Sequence, residues 1–175
     1  MKNVVLIGFM GSGKTSIGKA LAVKLGRAFV DMDHAIEAEE GMSVAEIFAK
    51  RGEAYFRECE KNACRKVAER RNLVIATGGG TVKDPDNLAI LKKTGLVVCL
   101  TADVDTIMER TRRTGQRPIL DAYGSDDTGR RRAIAKLMEE RRELYAKADY
   151  TLDTTDKTPL LVVEDLVKRL RARGI

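Results

Sequence analysis

Residues 8–15 read GFMGSGKT and follow the apolar run VVLI. Few octets restrict a fold as much. Gly8, Gly13, Lys14 and Thr15 satisfy G-x-x-x-x-G-K-[ST], Gly11 adds a further glycine, and the pattern makes mechanical sense where a buried strand breaks into a tight loop that opens a helix. Such a loop turns successive backbone N–H groups inward, and the helix adds the positive end of its dipole, so the ligand that suits it is a polyphosphate. Lys14 can bridge the β- and γ-phosphates of a nucleotide, and the Thr15 hydroxyl can hold a magnesium ion. The alternative, a glycine-rich turn that only joins strand to helix, leaves the adjacent Lys-Thr pair unexplained.

The rest of the chain divides into alternating helices and strands. Lys14 to Leu25 reads as a helix stopped by Gly26, AFVDMD (28–33) as a short strand ending in two aspartates, and Ser43 to Glu46 as a capping box that opens a short helix. A helix from Glu53 to Arg70 carries Phe56, Cys59, Ala63 and Val67 on one face, and LVIATGGG (73–80) is an apolar strand that breaks into glycines. Asp84 and Pro85 supply the cap and first turn of a helix ending near Gly95, LVVCL (96–100) is another apolar strand, and Asp103 caps the next helix. Residues 114–129 show no sustained periodicity, and a loop that long in a compact domain is usually a lid or binding loop. A helix from Arg130 to Tyr145, a strand at 150–153 and a last helix opened by Thr158 and Pro159 complete the order. Apolar strands alternating with helices predict an α/β fold whose parallel sheet is covered on both faces, and 175 residues suffice for one domain, 1–175.

Composition removes several function classes. No run approaches the roughly 18–20 apolar residues of a membrane span, and the N-terminal apolar stretch runs straight into the glycine loop without a cleavage-like segment, so a cytoplasmic location without a membrane partner is expected. The 3 cysteines lack C-x-x-C spacing and indicate neither a disulfide framework nor a zinc site. A net charge of +6 is compatible with nucleic acid, but with 5% aromatic residues and no RNA-binding motif an anionic small substrate explains it equally well.

Four further features bear on chemistry. Asp31 and Asp33 stand at the end of the second strand, where ligands of open α/β sheets bind, and two residues apart on a strand they share a face. One could touch a magnesium shell and the other an acceptor hydroxyl; a helix cap plus a solvated turn is the competing reading. Gly78, Gly79 and Gly80 suggest that something approaches the backbone closely. Arg141 falls within the apolar stripe Ile134, Leu137, Met138 and Tyr145, and a buried guanidinium needs an anion, either a substrate's or an internal Asp or Glu. Arg57 borders the apolar face of its helix one turn before Glu60. The arginines at 110, 112, 113 and 130–132 look mostly like solvated helix faces, and His34 like a surface residue at a helix start.

Taken together, GFMGSGKTSIGKALA, DMDHAIE, GMSVAEIFAKRGEAYFRECE, ATGGGTV, RPIL and RRELYAKADYTLDTTDK resemble the shikimate kinase family, in the family's order and over nearly the whole chain. The resemblance implies a P-loop fold of the nucleoside monophosphate kinase type, with a five-stranded parallel sheet between helices and a mobile lid at about 114–129. It implies transfer of the γ-phosphate of ATP to the 3-hydroxyl of shikimate, on the route to chorismate and the aromatic amino acids. Gly11, Ser12, Gly13, Lys14, Thr15 and Ser16 would hold ATP, with Thr15 and, through water, Asp31 at Mg2+. Asp33 would orient or deprotonate the attacking hydroxyl. Arg57, Arg141 and the glycines, Gly79 above all, would grip shikimate, the two arginines taking its carboxylate and Glu60 steadying Arg57. Arg117 of the lid would close on the phosphates, and Arg113 and Lys157 match positions near the adenine. The expected partners are ATP and shikimate, with no nucleic acid, and the expected state is a monomer. A kinase for another hydroxy acid such as gluconate, or a nucleic-acid-stimulated ATPase, are the rival readings.

Overall fold

Strand β1 (Asn3–Ile7) is buried along its whole length because it has a parallel neighbour on each side and helices above and below. The computed structural model describes residues 1–113 and 126–175, and within them five parallel strands form one sheet in the order β2-β3-β1-β4-β5. The other strands are β2 (Ala28–Asp31), β3 (Leu73–Ala76), β4 (Gly95–Thr101) and β5 (Tyr150–Asp153). Every connection is a crossover carrying a helix, as parallel pairing requires. All five carboxyl ends therefore share one rim.

The period of two along β1 sorts its side chains into two layers. Val5 and Ile7 pack with Ile75, Val97 and Cys99 against α2 (Met32–Glu40), α3 (Val44–Arg51), α4 (Glu53–Ala68) and α5 (Pro85–Lys92). Val4 and Leu6 pack with Val74, Val98 and Leu100 against α1 (Lys14–Leu25) and the C-terminal helix α8 (Pro159–Arg171). Leu6, fully buried, contributes roughly 2 kcal/mol by removal from water, and Leu6→Ala would cost more, about 2–5 kcal/mol, because a cavity remains. A third apolar cluster joins Phe9 of the glycine loop to Ile107 of α6 (Val104–Arg113) and Ile134 and Leu137 of α7 (Asp127–Tyr145).

Several boundaries differ from the sequence expectation, each for a local reason. The strand expected over 28–33 stops at Asp31, whose carboxylate accepts from the His34 N–H and starts α2, so Asp33 lies in a first helical turn and not on the strand beside Asp31. The helix expected to begin at Arg130 begins at Asp127, which takes 127–129 out of the predicted lid. Arg117 and the lid's residues 114–125 lie outside the described residues, as does the side chain of Arg113, the last residue of α6. The Ser43, Asp84 and Thr158 caps are as the sequence predicts, each accepting from a backbone N–H in its helix's first turn.

Candidate active site

The loop after β1 is built from backbone. Gly8, Gly11 and Gly13 hold positive φ angles of 146°, 77° and 99°, and a side chain at Gly8 would strike the Leu100 carbonyl, so no larger residue fits there. Gly13 leads straight into α1, so the first turn of that helix opens at the loop. Lys14 is buried within it, its Nζ donating to the carbonyls of Gly8 at 2.6 Å and Phe9 at 3.0 Å. The exposed Thr15 hydroxyl donates to Asp31 Oδ2 at 2.7 Å, joining the first turn of α1 to the end of β2. Asp31 thus caps α2 through Oδ1, as the capping reading expects, and accepts from Thr15 through Oδ2.

Arg110 was missed as a site residue. Its guanidinium donates to the Gly11 carbonyl at 3.1 Å and to Thr154 Oγ1 at 3.0 Å and the Thr154 carbonyl at 2.9 Å, while Thr154 Oγ1 lies 3.1 Å from the Ser12 carbonyl. This pins the phosphate loop to α6 and to the turn after β5. A signal existed: Arg110 follows the fully buried Ile107 by three, on the border of the apolar stripe of α6. Lys157 lies exposed in that same turn, its N–H bonded to the Thr154 carbonyl at 3.3 Å.

Across the rim the wall is made of side chains. Asp33 lies at the junction of two adjoining hollows, of about 340 Å³ over the phosphate loop and about 90 Å³ beside the glycines, and it shares that junction with Met10 and Gly79. Burial, with the nearby Glu60 and Asp31 carboxylates, pushes the Asp33 pKa up to about 6 against the opposing pull of Lys14. Its Oδ1 is buried without a hydrogen-bond partner among the described residues. Arg57 Nη1 donates to Glu60 Oε1 at 2.5 Å and Nη2 to Glu53 Oε1 at 3.1 Å, so Glu60, 1% exposed, does steady Arg57.

Arg141 is 2% exposed, stacks 5.4 Å over the Phe9 ring and donates from Nη1 to the Gly79 carbonyl at 2.8 Å. No Asp or Glu pairs with it; its Nε and Nη2 have no partner among the described residues, so the internal ion pair allowed by the sequence is absent there. The Tyr145 hydroxyl donates to the same Gly79 carbonyl at 2.9 Å, a contact invisible in the stripe that named Tyr145.

The glycines are required by close approach. A Cβ on Gly78 would stand 2.7 Å from Asp33 Oδ1 and 2.9 Å from Glu60 Oε2, and one on Gly80 2.5 Å from Arg57 Nη1. Asp33, Arg57, Gly78, Gly79 and Gly80 thus line one hollow, with Arg141 against Gly79; Gly11, Gly13, Lys14, Thr15, Ser16 and Asp31 line the other. Ser12 is buried beneath the loop.

The arrangement places the Asp33 carboxylate between the glycine loop and Arg57, with Arg141 bonded to the Gly79 they share. The sequence profile described as Shikimate kinase matches residues 10–171. The shikimate kinase of Thermodesulfovibrio yellowstonii is 45% identical over 96% of this chain and 94% of its own, and that of Caldanaerobacter subterraneus subsp. tengcongensis 46% identical over 96% and 95%. Among solved structures, the Acinetobacter baumannii shikimate kinase in complex with shikimate superposes with a TM-score of 0.91 at 34% identity, covering 100% of this chain and 96% of that one. A Sinorhizobium meliloti gluconokinase shares the fold at a TM-score of 0.54 but only 16% identity, and likeness at that level reaches no further than the fold. With a profile and relatives that agree along nearly its whole length, this chain belongs to the shikimate kinase family.

Proposed function

We propose that, in the transfer of the γ-phosphate of ATP to the 3-hydroxyl of shikimate that a shikimate kinase performs on the way to the aromatic amino acids, the two hollows divide the substrates between them. Gly11 to Ser16 hold the polyphosphate, and Lys14 exchanges the Gly8 and Phe9 carbonyls for phosphate oxygens. Arg57 and Arg141 take the shikimate carboxylate, and the glycine turn gives it room to approach. Asp33, between the hollows, aligns the attacking hydroxyl and accepts its proton; a carboxylate lifted to about 6 is a better base near neutral pH than an ordinary one. The observation that carries this reading is the position of Asp33 at the junction of both hollows.

Thr15 and Asp31 offer a hydroxyl and a carboxylate oxygen side by side, the hard donors that magnesium accepts together with substrate phosphates and water. When bound there, the ion would neutralise charge on the β- and γ-phosphates. Arg117 of the lid is assigned to the migrating phosphoryl group, and Arg113 and Lys157 to the adenine end, on the family resemblance. Among the described residues no helix is long and apolar enough to cross a membrane; a cytoplasmic monomer working on free metabolites is the form proposed.

ATP turnover measured separately with shikimate, gluconate or RNA tests the assignment. Turnover with shikimate alone is expected; stimulation by RNA alone would overturn it.

A further inference from the structure

Glu60 is 1% exposed, and its two oxygens are occupied differently: Oε1 accepts from Arg57 Nη1 at 2.5 Å, Oε2 from the Thr81 hydroxyl at 2.8 Å. Thr81 follows the glycine triplet and is itself 1% exposed. Its backbone is tied at both ends, the N–H to the Gly78 carbonyl at 3.3 Å and the carbonyl to the amide of Asn87, a buried residue of α5, at 2.9 Å.

A buried carboxylate beside an arginine will, if free to turn, offer both oxygens to the guanidinium fork. The Thr81 hydroxyl opposes that turn by holding Oε2 in place. With Glu60 held to one contact and Glu53 accepting from Nη2 and Nε, Arg57 keeps one N–H on each terminal nitrogen for another anion. Those are the N–H groups that grip a carboxylate bidentately.

We propose that Thr81 is a positioning residue for recognition of the substrate carboxylate: its hydroxyl, anchored through Asn87, restricts Glu60 to a single contact and so leaves Arg57 oriented toward the acid. The inference rests on the assignment of Arg57 to that carboxylate. It explains why a hydroxyl residue follows the triplet here, and it gives α5, which lines neither hollow, a part in specificity.

The test compares shikimate with its uncharged methyl ester as acceptor. Thr81→Val keeps the shape and removes the donor; its KM for shikimate should rise about tenfold, equivalent to roughly 1.4 kcal/mol, as Glu60 turns to take a second Arg57 N–H from the substrate, with KM for ATP unchanged. The preference for shikimate over the ester should fall by the same factor, and Thr81→Ser should restore it. A merely structural role would weaken both acceptors alike, so Thr81→Val with wild-type preference overturns the proposal. Should Thr81→Val lack a cooperative melting transition, Thr81→Ala is read in its place. Arg57→Ala separates the two levels: if it leaves the preference intact, the carboxylate assignment fails; if it abolishes the preference while Thr81→Val does not, only the role of Thr81 fails.

Discussion

The two hollows that meet at Asp33 are built from opposite materials. Over the phosphate loop the lining comes mostly from one stretch of chain, residues 8–16, with three positive-φ glycines and a helix start, to which Asp31, Asp33 and Arg110 add side chains. Beside the glycine triplet it comes from side chains on α2, α4 and α7, brought together by the sheet. Polyphosphate is flexible and highly charged, so an array of N–H groups suffices. A small rigid acid must be held in one orientation, which needs forks and hydroxyls at fixed angles. The difference predicts that damage to the first hollow destroys turnover, whereas damage to the second first raises KM for the acceptor.

Lys14→Ala gives the largest expected effect. On the role proposed for its charge, at the transferring phosphoryl group, turnover should fall on the order of a thousandfold while shikimate binding, measured by calorimetry, persists. Loss of shikimate binding in this variant would show that the hollows are not separable.

Asp33→Asn probes the junction and carries two opposite signs. Turnover should drop by about 10²–10⁴ through loss of the base. Stability should rise. The folded-state pKa of Asp33 is raised to about 6 from 3.8, so the native protein binds this proton more tightly than the unfolded chain, and stability falls as pH climbs through that interval. A buried charge therefore costs about 2–3 kcal/mol at neutral pH, and asparagine removes that cost. Thermal melts should place Asp33→Asn above wild type at pH 7, with the gap closing below about pH 4, where Asp33 is protonated in both states. A variant that melts lower at pH 7 would mean the carboxylate is satisfied in the native protein.

The same contrast explains what could be read from the sequence. The strand, loop and helix of residues 3–25 were legible because the glycines answer a local backbone requirement. The sheet and most helices were legible from apolar runs and caps, and Arg141 from its place in an apolar stripe. What stayed hidden is nonlocal: the Glu60–Thr81 bond spans 21 residues, Arg110 meets the loop across 99, and nothing in one segment names the partner in another. Asp31 shows the subtler failure. Its capping role stood in the sequence as the alternative to a place at a magnesium shell, although a carboxylate that caps a helix through Oδ1 keeps Oδ2 for another partner, here the Thr15 hydroxyl.

Gly80→Ala sharpens the comparison at intermediate strength. A methyl group there meets Arg57 Nη1 at 2.5 Å and Nη2 at 2.8 Å, and the guanidinium is not free to retreat because Glu60 and Glu53 hold it. The arginine must shift, and KM for shikimate should rise roughly tenfold, about 1.4 kcal/mol, with KM for ATP unaffected. A parallel rise in both constants would argue that the glycine turn supports the phosphate loop as well.

Tyr145→Phe is expected to be the mildest. Burial pushes the Tyr145 hydroxyl up to about 12 against the opposing pull of the neighbouring Arg141, so it stays protonated across the working pH range and donates to the Gly79 carbonyl. That carbonyl also receives Arg141 Nη1, so removing the hydroxyl leaves it satisfied and forfeits only one ordinary hydrogen bond, about 1 kcal/mol. A fewfold rise in KM for shikimate with unchanged turnover follows. If turnover fell as far as in Asp33→Asn, the Gly79 peptide would belong to the chemistry and not only to the grip, and the division between a catalytic hollow and a binding hollow would have to be redrawn through it.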